Sequence, residues 1–308
     1  MNILEQDAIH FSIVIPLYNS SKYLNDIQSK ISEVMSSISQ NCEVILVNDC
    51  SPDDSANLLQ QLSNSDNRFK VINLSSNQGQ AEALRTGFRH SKGEFIGVID
   101  ADLEEDPMLL VSFLADVKKE NLDMLYGVTK KRQGGFVKKL GGSFFYWLIE
   151  KMTNVEFERN SVWLRVMSRS YINKCLSFPE VNIWWGGIFH LSGGNKKSRI
   201  IEKNTVIETS TSIGKRIDLA FDAITSFTSY PLKFIFYVGL AMMFLSALLI
   251  LIILFVKIIL DVNFRAGWPS IAIILIFFFG CVMSSLGLIG IYLGKLYIEA
   301  KNRPVCED

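Results

Sequence analysis

The chain carries no net charge and has few cysteines. Its 31 basic residues are balanced by 31 acidic ones, and five cysteines are spread over 308 residues without a paired metal-binding spacing. Such cysteine usage suits a reducing compartment. A neutral chain has no bulk field that would attract a nucleic-acid backbone. The composition therefore argues against a nucleic-acid-binding protein.

Two nucleotide-binding motifs are also missing. No Gly-x-Gly-x-x-Gly follows the first apolar run, whose turn is formed by residues 16–20, and the sequence contains no Walker A run. A nucleotidyltransferase or a dinucleotide-dependent oxidoreductase is therefore a poor match.

Charged side chains are absent from residues 234–256 and 269–294. About 20 apolar residues cross the core of a bilayer, and the glycines of the second stretch are the small residues that let membrane helices pack closely. We predict transmembrane helices over 234–260 and 269–294. The alternative is a buried helical hairpin, which would need polar faces that neither stretch shows.

Lysine and arginine at the ends of these stretches predict the orientation. The basic residues that flank the two spans on the outer ends are Lys215, Arg216, Lys233, Lys295, Lys301 and Arg303, against Arg265 and a snorkelling Lys257 on the side of the short loop. Because basic flanks stay inside, we expect a multi-pass protein of the inner (plasma) membrane with both termini cytoplasmic. Its parts would be a cytoplasmic domain (1–212), an amphipathic juxtamembrane helix (213–233), the two spans and a cytoplasmic tail (295–308).

Short apolar runs alternate with amphipathic stretches in the first half of the chain. This alternation predicts an α/β domain with a mainly parallel sheet flanked by helices. The predicted strands are 11–16, 43–47, 69–74, 95–99 and 124–126, and the predicted helices are 22–38, 55–62, 80–90 and 107–121. Ligands of such sheets bind at the carboxyl ends of the strands.

The most informative strand end is Asp100-Ala101-Asp102, which directly follows the strand 95–99. Two unpaired carboxylates on alternate residues cannot both be buried without a large desolvation cost. They suit Mg²⁺ or Mn²⁺, which accept oxygen ligands and keep positions for water and phosphate. A solvated acidic turn is the alternative, because Glu104, Glu105 and Asp106 follow.

Polar residues also follow the first three strands. Tyr18 and Asn19 come after the first, and Asp49 comes directly off the second, where a carboxylate can accept hydrogen bonds from a base or ribose. A turn or helix N-cap is the alternative for Asp49. For the segment 77–80 the alternative is a helix cap in which Gly79 permits the turn. We expect the ends of the first, second and fourth strands to meet in one crevice.

Together these motifs resemble glycosyltransferase family 2, with its GT-A fold. They are Pro16-Leu17-Tyr18-Asn19; Asp49, Ser51, Asp53 and Ser55; Asn77 and Gly79 with Ala83 and Gly87; and Asp100-Ala101-Asp102 with Pro107. The two apolar stretches narrow the resemblance to the membrane-anchored branch of polyprenyl-phosphate glycosyltransferases, which includes the bactoprenol glucosyltransferase and dolichol-phosphate mannose synthase types.

The resemblance implies an inverting, metal-dependent transfer of a sugar from a nucleotide-sugar donor to a polyprenyl phosphate or polyprenyl-linked acceptor, in cell-envelope glycan synthesis. The implied donor-binding residues are Pro16, Tyr18, Asn19, Asp49, Gly79, Asp100, Ala101 and Asp102. Asp100 and Asp102 would hold Mg²⁺ or Mn²⁺, with Asp102 acting in catalysis. A homo-oligomer is plausible by the same resemblance.

On the acceptor side, Arg165 lies on a strand that resembles the family's Phe-Arg-Leu-Met segment. Arg165 and Arg132 are favoured as phosphate-binding residues, with Arg165 also catalytic. Lys215 and Arg216 are further candidates. For the basic groups near residues 132 and 215, a collar that meets anionic lipid is the alternative.

Asn160 and Ser161 stand where relatives carry an acid. If the acceptor is a lipid phosphate, this departure matters less, because a second pKa of about 6 leaves the phosphate largely ionised. A hydroxyl acceptor would need a general base, for which Glu158 or Glu180 is the candidate. A hydroxyl-acceptor glycosyltransferase and a non-catalytic membrane scaffold therefore remain alternatives. Trp184 and Trp185 would either line the acceptor pocket or pack under the sheet.

Overall fold

The computed structural model describes residues 9–38, 41–129, 160–180, 183–202 and 268–301, together with single positions between 232 and 259. The described residues up to 202 belong to one compact unit, and those from 232 to 301 belong to a second.

The first unit is built on a seven-stranded sheet. Its strands are β1 (Phe11–Leu17), β2 (Cys42–Asn48), β3 (Phe69–Asn73), β4 (Phe95–Val98), β5 (Met124–Thr129), β6 (Ser161–Ser168) and β7 (Lys196–Ile201). Their order across the sheet is β3-β2-β1-β4-β6-β5-β7. All pairings are parallel except those of β6, which runs antiparallel to both β4 and β5. The expected mainly parallel sheet is thus a mixed sheet, because β6 enters it from the opposite direction.

Helices cover both faces of this sheet, which confirms the predicted α/β class. They are α1 (Leu24–Ser37), which follows a short 3-10 turn at Ser21–Tyr23, α2 (Ser55–Ser65), α3 (Gln80–His90), α4 (Leu109–Glu120), α5 (Arg169–Leu176) and α6 (Trp185–Leu191). Side chains of α1, α2 and α4 pack in one core cluster, and those of α3, α5 and α6 pack in the other.

The strand β1 lies at the centre of this arrangement, and all seven of its residues are buried. Because side chains alternate along a strand, Ile13 and Ile15 join the first cluster and Val14 joins the second. Helix α3 approaches the strand closely at Gly87, where a Cβ atom would overlap Cγ1 of Val14. This contact fixes the height of α3 above the sheet.

The second unit contains the helix α7 (Trp268–Lys301), which includes the stretch 269–294. Among the described residues, no helix combines the length and the apolar character needed to cross a bilayer. Most of the stretch 234–260 lies outside the described residues. The two membrane spans therefore stay predictions.

Candidate active site

The carboxyl ends of three parallel strands meet at one edge of the sheet. β1 lies between β2 and β4, with Leu17 in register with Asn48, and Val14 in register with Val98. The backbone N–H of Asp49 continues this pairing by donating to the carbonyl of Leu17 at 2.9 Å. The residues that follow these strands are therefore neighbours at one edge.

Left-handed backbone conformations cluster at this edge. Asn19 (φ 54°), Cys50 (φ 51°) and Leu103 (φ 49°) lie just after β1, β2 and β4, and Gly79 (φ 87°) precedes α3. Asparagine tolerates this region, whereas it costs a side chain such as leucine about 1–2 kcal/mol. Non-glycine residues held in such conformations concentrate at functional sites. The backbone thus marks the same edge as the polar side chains do.

The loops after β1 and β2 are tied together by side chains. The backbone N–H of Asn19 donates to Ser51 Oγ at 3.1 Å, and that of Ser21 donates to Asp53 Oδ2 at 2.9 Å. Burial by itself would raise the pKa of Asp53, but hydrogen bonds from Ser55 and Ser21 outweigh it and lower the pKa to about 2. Asp53 is therefore ionised at neutral pH and acts as an anchor between the two loops.

The predicted donor-binding residues in β1 and directly after it differ in their exposure. The side chain of Tyr18 is 52% exposed at this edge, so its ring is accessible to a ligand. Pro16 is buried within β1, so it shapes the edge from inside the sheet. Direct binding of the donor by Pro16 stays a prediction.

Asp49 is buried and holds a neighbouring loop. Its Oδ1 accepts from the backbone N–H of Gln78 at 2.7 Å, and its Oδ2 accepts from that of Gly79 at 2.8 Å. The side chain is only 3% exposed. The geometry therefore shows Asp49 fixing the loop before α3, with Gly79 as the N-cap of that helix. A contact from Asp49 to a base or ribose stays a prediction.

Asp100 and Asp102 are both partly exposed after β4. Oδ1 of Asp100 accepts from the side-chain amide of Gln80 at 2.8 Å, and Oδ1 of Asp102 accepts from the backbone N–H of Glu104 at 3.2 Å. By contrast, Glu104 and Glu105 are buried, at 7% and 1% exposure. This burial argues against a simple solvated acidic turn.

The pair Asp100 and Asp102 fits Mg²⁺ or Mn²⁺ by its donor chemistry, because it offers carboxylate oxygens and remains partly open to solvent. Within the described part of the chain, no group of three or more histidine, cysteine, aspartate or glutamate side chains could hold a metal ion. Mg²⁺ held by one or two carboxylates usually keeps positions for water and for phosphate oxygens.

Arg165 lies on β6 opposite Val98, so it stands beside the strand end that carries Asp100. Its guanidinium carbon is 4.6 Å from the ring centre of Trp163 and 4.8 Å from that of Phe189. Nη2 donates to the carbonyl of Val162 at 2.8 Å, and Nε donates to that of Trp163 at 3.3 Å. Arg165 is thus held between two aromatic rings and its own strand.

Burial lowers the pKa of Arg165 to about 10, while the negative charge of Asp100 acts in the opposite direction. The guanidinium therefore stays charged at neutral pH although only 7% of the residue is exposed. A buried cation in a water-poor environment acts on nearby charges more strongly than an exposed one. Its register opposite Val98 brings its positive charge near the strand end that carries Asp100, and its predicted contact with a phosphate stays a prediction.

The sequence left two roles possible for Trp185, lining an acceptor pocket or packing under the sheet. The structure decides between them. The ring of Trp185 makes an edge contact with Phe88 at 5.0 Å and stacks on Phe189 at 5.4 Å. Its Nε1 donates to the carbonyl of Ala81 at 2.9 Å, and the side chain is 2% exposed. Trp185 therefore packs in the core against α3.

Four candidates lie outside the described residues: Arg132, Glu158, Lys215 and Arg216. Glu180 is described, and its backbone carbonyl accepts from Arg85 Nη1 at 2.9 Å. Sequence reasoning missed Gln80, whose side-chain amide donates to the carboxylate of Asp100. Its position as the first residue of α3, directly after Gly79, is the signal that could have identified it.

Comparison with known proteins gives a consistent set of similarities. The family model described as "Glycosyl transferase family 2" matches residues 12–180. The "Uncharacterized glycosyltransferase YkcC" of Bacillus subtilis (strain 168) is 33% identical over 300 residues, which cover 96% of this chain and 92% of that protein. The "Prophage bactoprenol glucosyl transferase homolog" of Escherichia coli (strain K12) is 29% identical over 298 residues, covering 95% of this chain and 96% of that protein.

Among solved structures, the chain is similar to "Mannosyltransferase PcManGT from Pyrobaculum calidifontis in complex with GDP-Man and Mn2+". The TM-score is 0.48 and the identity is 12%, with 65% of this chain and 58% of that chain covered.

Proposed function

Because this chain belongs to glycosyl transferase family 2 and is a glycosyltransferase, we propose that it moves a sugar from a nucleotide-sugar donor to a polyprenyl phosphate. The observation that carries the proposal is the partly exposed pair Asp100 and Asp102 beside the tied loops of β1 and β2. The acceptor is proposed from the similarity, over nearly the whole chain, to a protein named as a bactoprenol glucosyl transferase homolog.

The donor would bind at the carboxyl edge of β1, β2 and β4. The exposed ring of Tyr18 supplies a surface on which a base or sugar can stack. Asp49 holds the loop at Gly79 in place, and Asp100 and Asp102 would hold Mg²⁺ or Mn²⁺. When bound there, the cation neutralises the charge that develops on the departing nucleoside diphosphate.

The sugar can be transferred in a single displacement step, without a covalent enzyme intermediate. An acceptor oxygen forms a bond to the anomeric carbon while the bond from that carbon to the donor diphosphate breaks, so the configuration inverts. A phosphate acceptor is already largely ionised at neutral pH, since its second pKa is about 6. It needs no general base, which agrees with Asn160 at the position where relatives carry an acid.

Arg165 contributes a fixed positive charge beside Asp100. A charge that is already in place needs no reorganisation during the reaction and therefore lowers its barrier. We propose that Arg132, Lys215 and Arg216 attract the lipid phosphate, because basic residues near an anionic surface each add about 1 kcal/mol of attraction.

The proposal includes a membrane setting. The apolar stretches 234–256 and 269–294 and their basic flanks support two spans in the inner membrane, with the catalytic unit and both termini on the cytoplasmic side. A lipid-linked acceptor explains why such an enzyme would be anchored. Assembly into a homo-oligomer through these spans belongs to the same proposal.

The test is a transfer assay on the full-length protein in detergent. Mn²⁺ or Mg²⁺, a panel of nucleotide sugars and undecaprenyl phosphate should yield a glycolipid, detected by mass spectrometry. Asp102→Asn should abolish the product because it removes a carboxylate from the pair. Asp106→Asn is the matched control, since Asp106 is exposed and an asparagine can still accept from Met108 N–H.

Three outcomes would count against the proposal. Wild-type turnover by Asp102→Asn would remove the metal mechanism. Transfer to undecaprenol with none to its phosphate would show a hydroxyl acceptor. Absence of product with every donor would favour a non-catalytic scaffold.

A further inference from the structure

Gln80 links the first turn of α3 to the proposed metal pair. It is the first residue of α3, and its side-chain Nε2 donates to Oδ1 of Asp100 at 2.8 Å. The two residues come from different elements, since Asp100 follows β4. The contact therefore joins two sides of the crevice.

The backbone that presents Gln80 is fixed on both sides of the residue. Before it, the carboxylate of Asp49 accepts from the N–H groups of Gln78 and Gly79. After it, the indole N–H of Trp185 donates to the carbonyl of Ala81. Both anchors are themselves nearly fully buried, at 3% and 2% exposure. Gln80 thus extends from a rigid turn.

Asp100 needs such a partner for physical reasons. It is partly exposed, it follows the last paired residue of β4, and the like charge of Asp102 lies two residues away. A carboxylate in this position can rotate about its side-chain bonds. A donor on Oδ1 restricts that rotation without changing the charge of the carboxylate.

The chemistry of an amide suits this task. A lysine or arginine in the same place would cancel part of the negative charge that attracts a cation, whereas a neutral amide orients the carboxylate and leaves its charge intact. The positive charge near Asp100 comes instead from Arg165, whose Nε and Nη2 donate to carbonyls of β6. Orientation and charge balance are therefore supplied by different residues.

We propose that Gln80 is a positioning residue that holds Asp100 in the orientation needed to bind a divalent cation, with Asp49 and Trp185 keeping its helix turn in place. This inference rests on the proposed function, because it concerns the same metal pair. Partners that orient a metal ligand usually contribute about 10- to 100-fold to affinity. Because this contact is at the surface, we expect the lower end, about tenfold.

The test measures Mn²⁺ affinity directly, by electron paramagnetic resonance of the free ion during titration of the full-length protein. Gln80→Leu removes the donor at nearly constant size and should weaken Mn²⁺ binding about tenfold. Gln60→Leu is the matched control on α2, where the exposed Gln60 contacts Asn64. It should bind Mn²⁺ as the wild type does.

A second arm separates positioning from a general disturbance of α3. In the Asp100→Ala background, Gln80→Leu should cause no further loss of Mn²⁺ affinity, because alanine has already removed the acceptor through which Gln80 acts. Wild-type affinity in Gln80→Leu would overturn the inference, and so would a further tenfold loss in the double variant.

Failure of the proposed function is visible separately from failure of this inference. If the wild type binds Mn²⁺ but makes no glycolipid, the proposed function fails, and the affinities still decide the role of Gln80. If the wild type binds no Mn²⁺, both are overturned.

Discussion

The buried carboxylate of Asp49 offers the sharpest test of how this site is built. Its two oxygens accept the backbone N–H groups of Gln78 and Gly79 at 2.7 and 2.8 Å. A hydrogen bond to a charged group contributes about 1.5–3 kcal/mol. Asp49→Ala removes both bonds and leaves two donors without this partner, so the expected loss of unfolding free energy is about 3–5 kcal/mol.

Asp49→Asn should have a smaller effect. Asparagine keeps one carbonyl oxygen that can accept one N–H, but its NH₂ group would face the other donor. We therefore expect it to lose about half as much stability as Asp49→Ala, or about 2 kcal/mol.

Thermal unfolding of the full-length protein, followed by circular dichroism at neutral pH, measures the effect. For a unit of this size 1 kcal/mol corresponds to about 2–4 °C, so Asp49→Ala should lower the Tm by about 10 °C. Asp26→Ala is the control, because Asp26 is exposed on α1. Its effect should stay below about 1 kcal/mol.

An unchanged Tm in Asp49→Ala, together with a raised KM for the nucleotide sugar, would refute this reasoning. That pattern would mean that the carboxylate binds the donor, and that the loop at Gly79 keeps its conformation without the carboxylate.

Two further predictions concern the loops and the packing beside this edge. The pKa of Asp53 is about 2, below its ordinary 3.8, so its contribution is present above pH 4 and is lost as pH falls from about 4 to about 2. Asp53→Asn should therefore lower the urea midpoint at pH 7 by an amount equivalent to about 1 kcal/mol, after allowance for solvent screening. The difference should be clearly smaller near pH 2, where about half of the Asp53 side chains are protonated; a constant difference across this range would contradict the assignment. Gly87→Ala places a methyl group against Val14 Cγ1 and should destabilise the unit by about 1–3 kcal/mol despite the better helix propensity of alanine. The same urea titration measures this loss of stability. The loss caused by Gly87→Ala should be smaller in a Val14→Ala background than in the wild type. Equal losses in the two backgrounds would show that the new methyl group does not touch Val14.

Much of the fold could be read from the sequence, because local patterns reflect burial. The continuous apolar run at 11–16 is a strand buried on both faces, and the helix predicted over 80–90 is α3 (Gln80–His90). The family resemblance, which rested on the order and spacing of motifs, is confirmed by the match over residues 12–180. The strand and the helix depend on residues close together in the chain, and each motif of the resemblance is itself local.

The strands β6 and β7 could not be placed in the same way. β7 (Lys196–Ile201) is an edge strand with three basic residues, so it lacks the apolar run of a central strand. The antiparallel entry of β6 between β4 and β5 depends on pairing between segments far apart in sequence. Such non-local pairing cannot be read from the segments one at a time.

The features of the candidate site can also be divided into those that the sequence determined and those that required the tertiary structure. The sequence by itself determined that carboxylates follow the strand ends, because an apolar run that stops at Asp49 or Asp100 is visible as such. Only the tertiary structure decided what each carboxylate contacts. Asp49 accepts hydrogen bonds from the loop before α3, and Asp100 accepts one from Gln80. The physical reason is that a hydrogen bond depends on distance and direction between elements, which packing of the helices on the sheet sets and spacing along the chain does not.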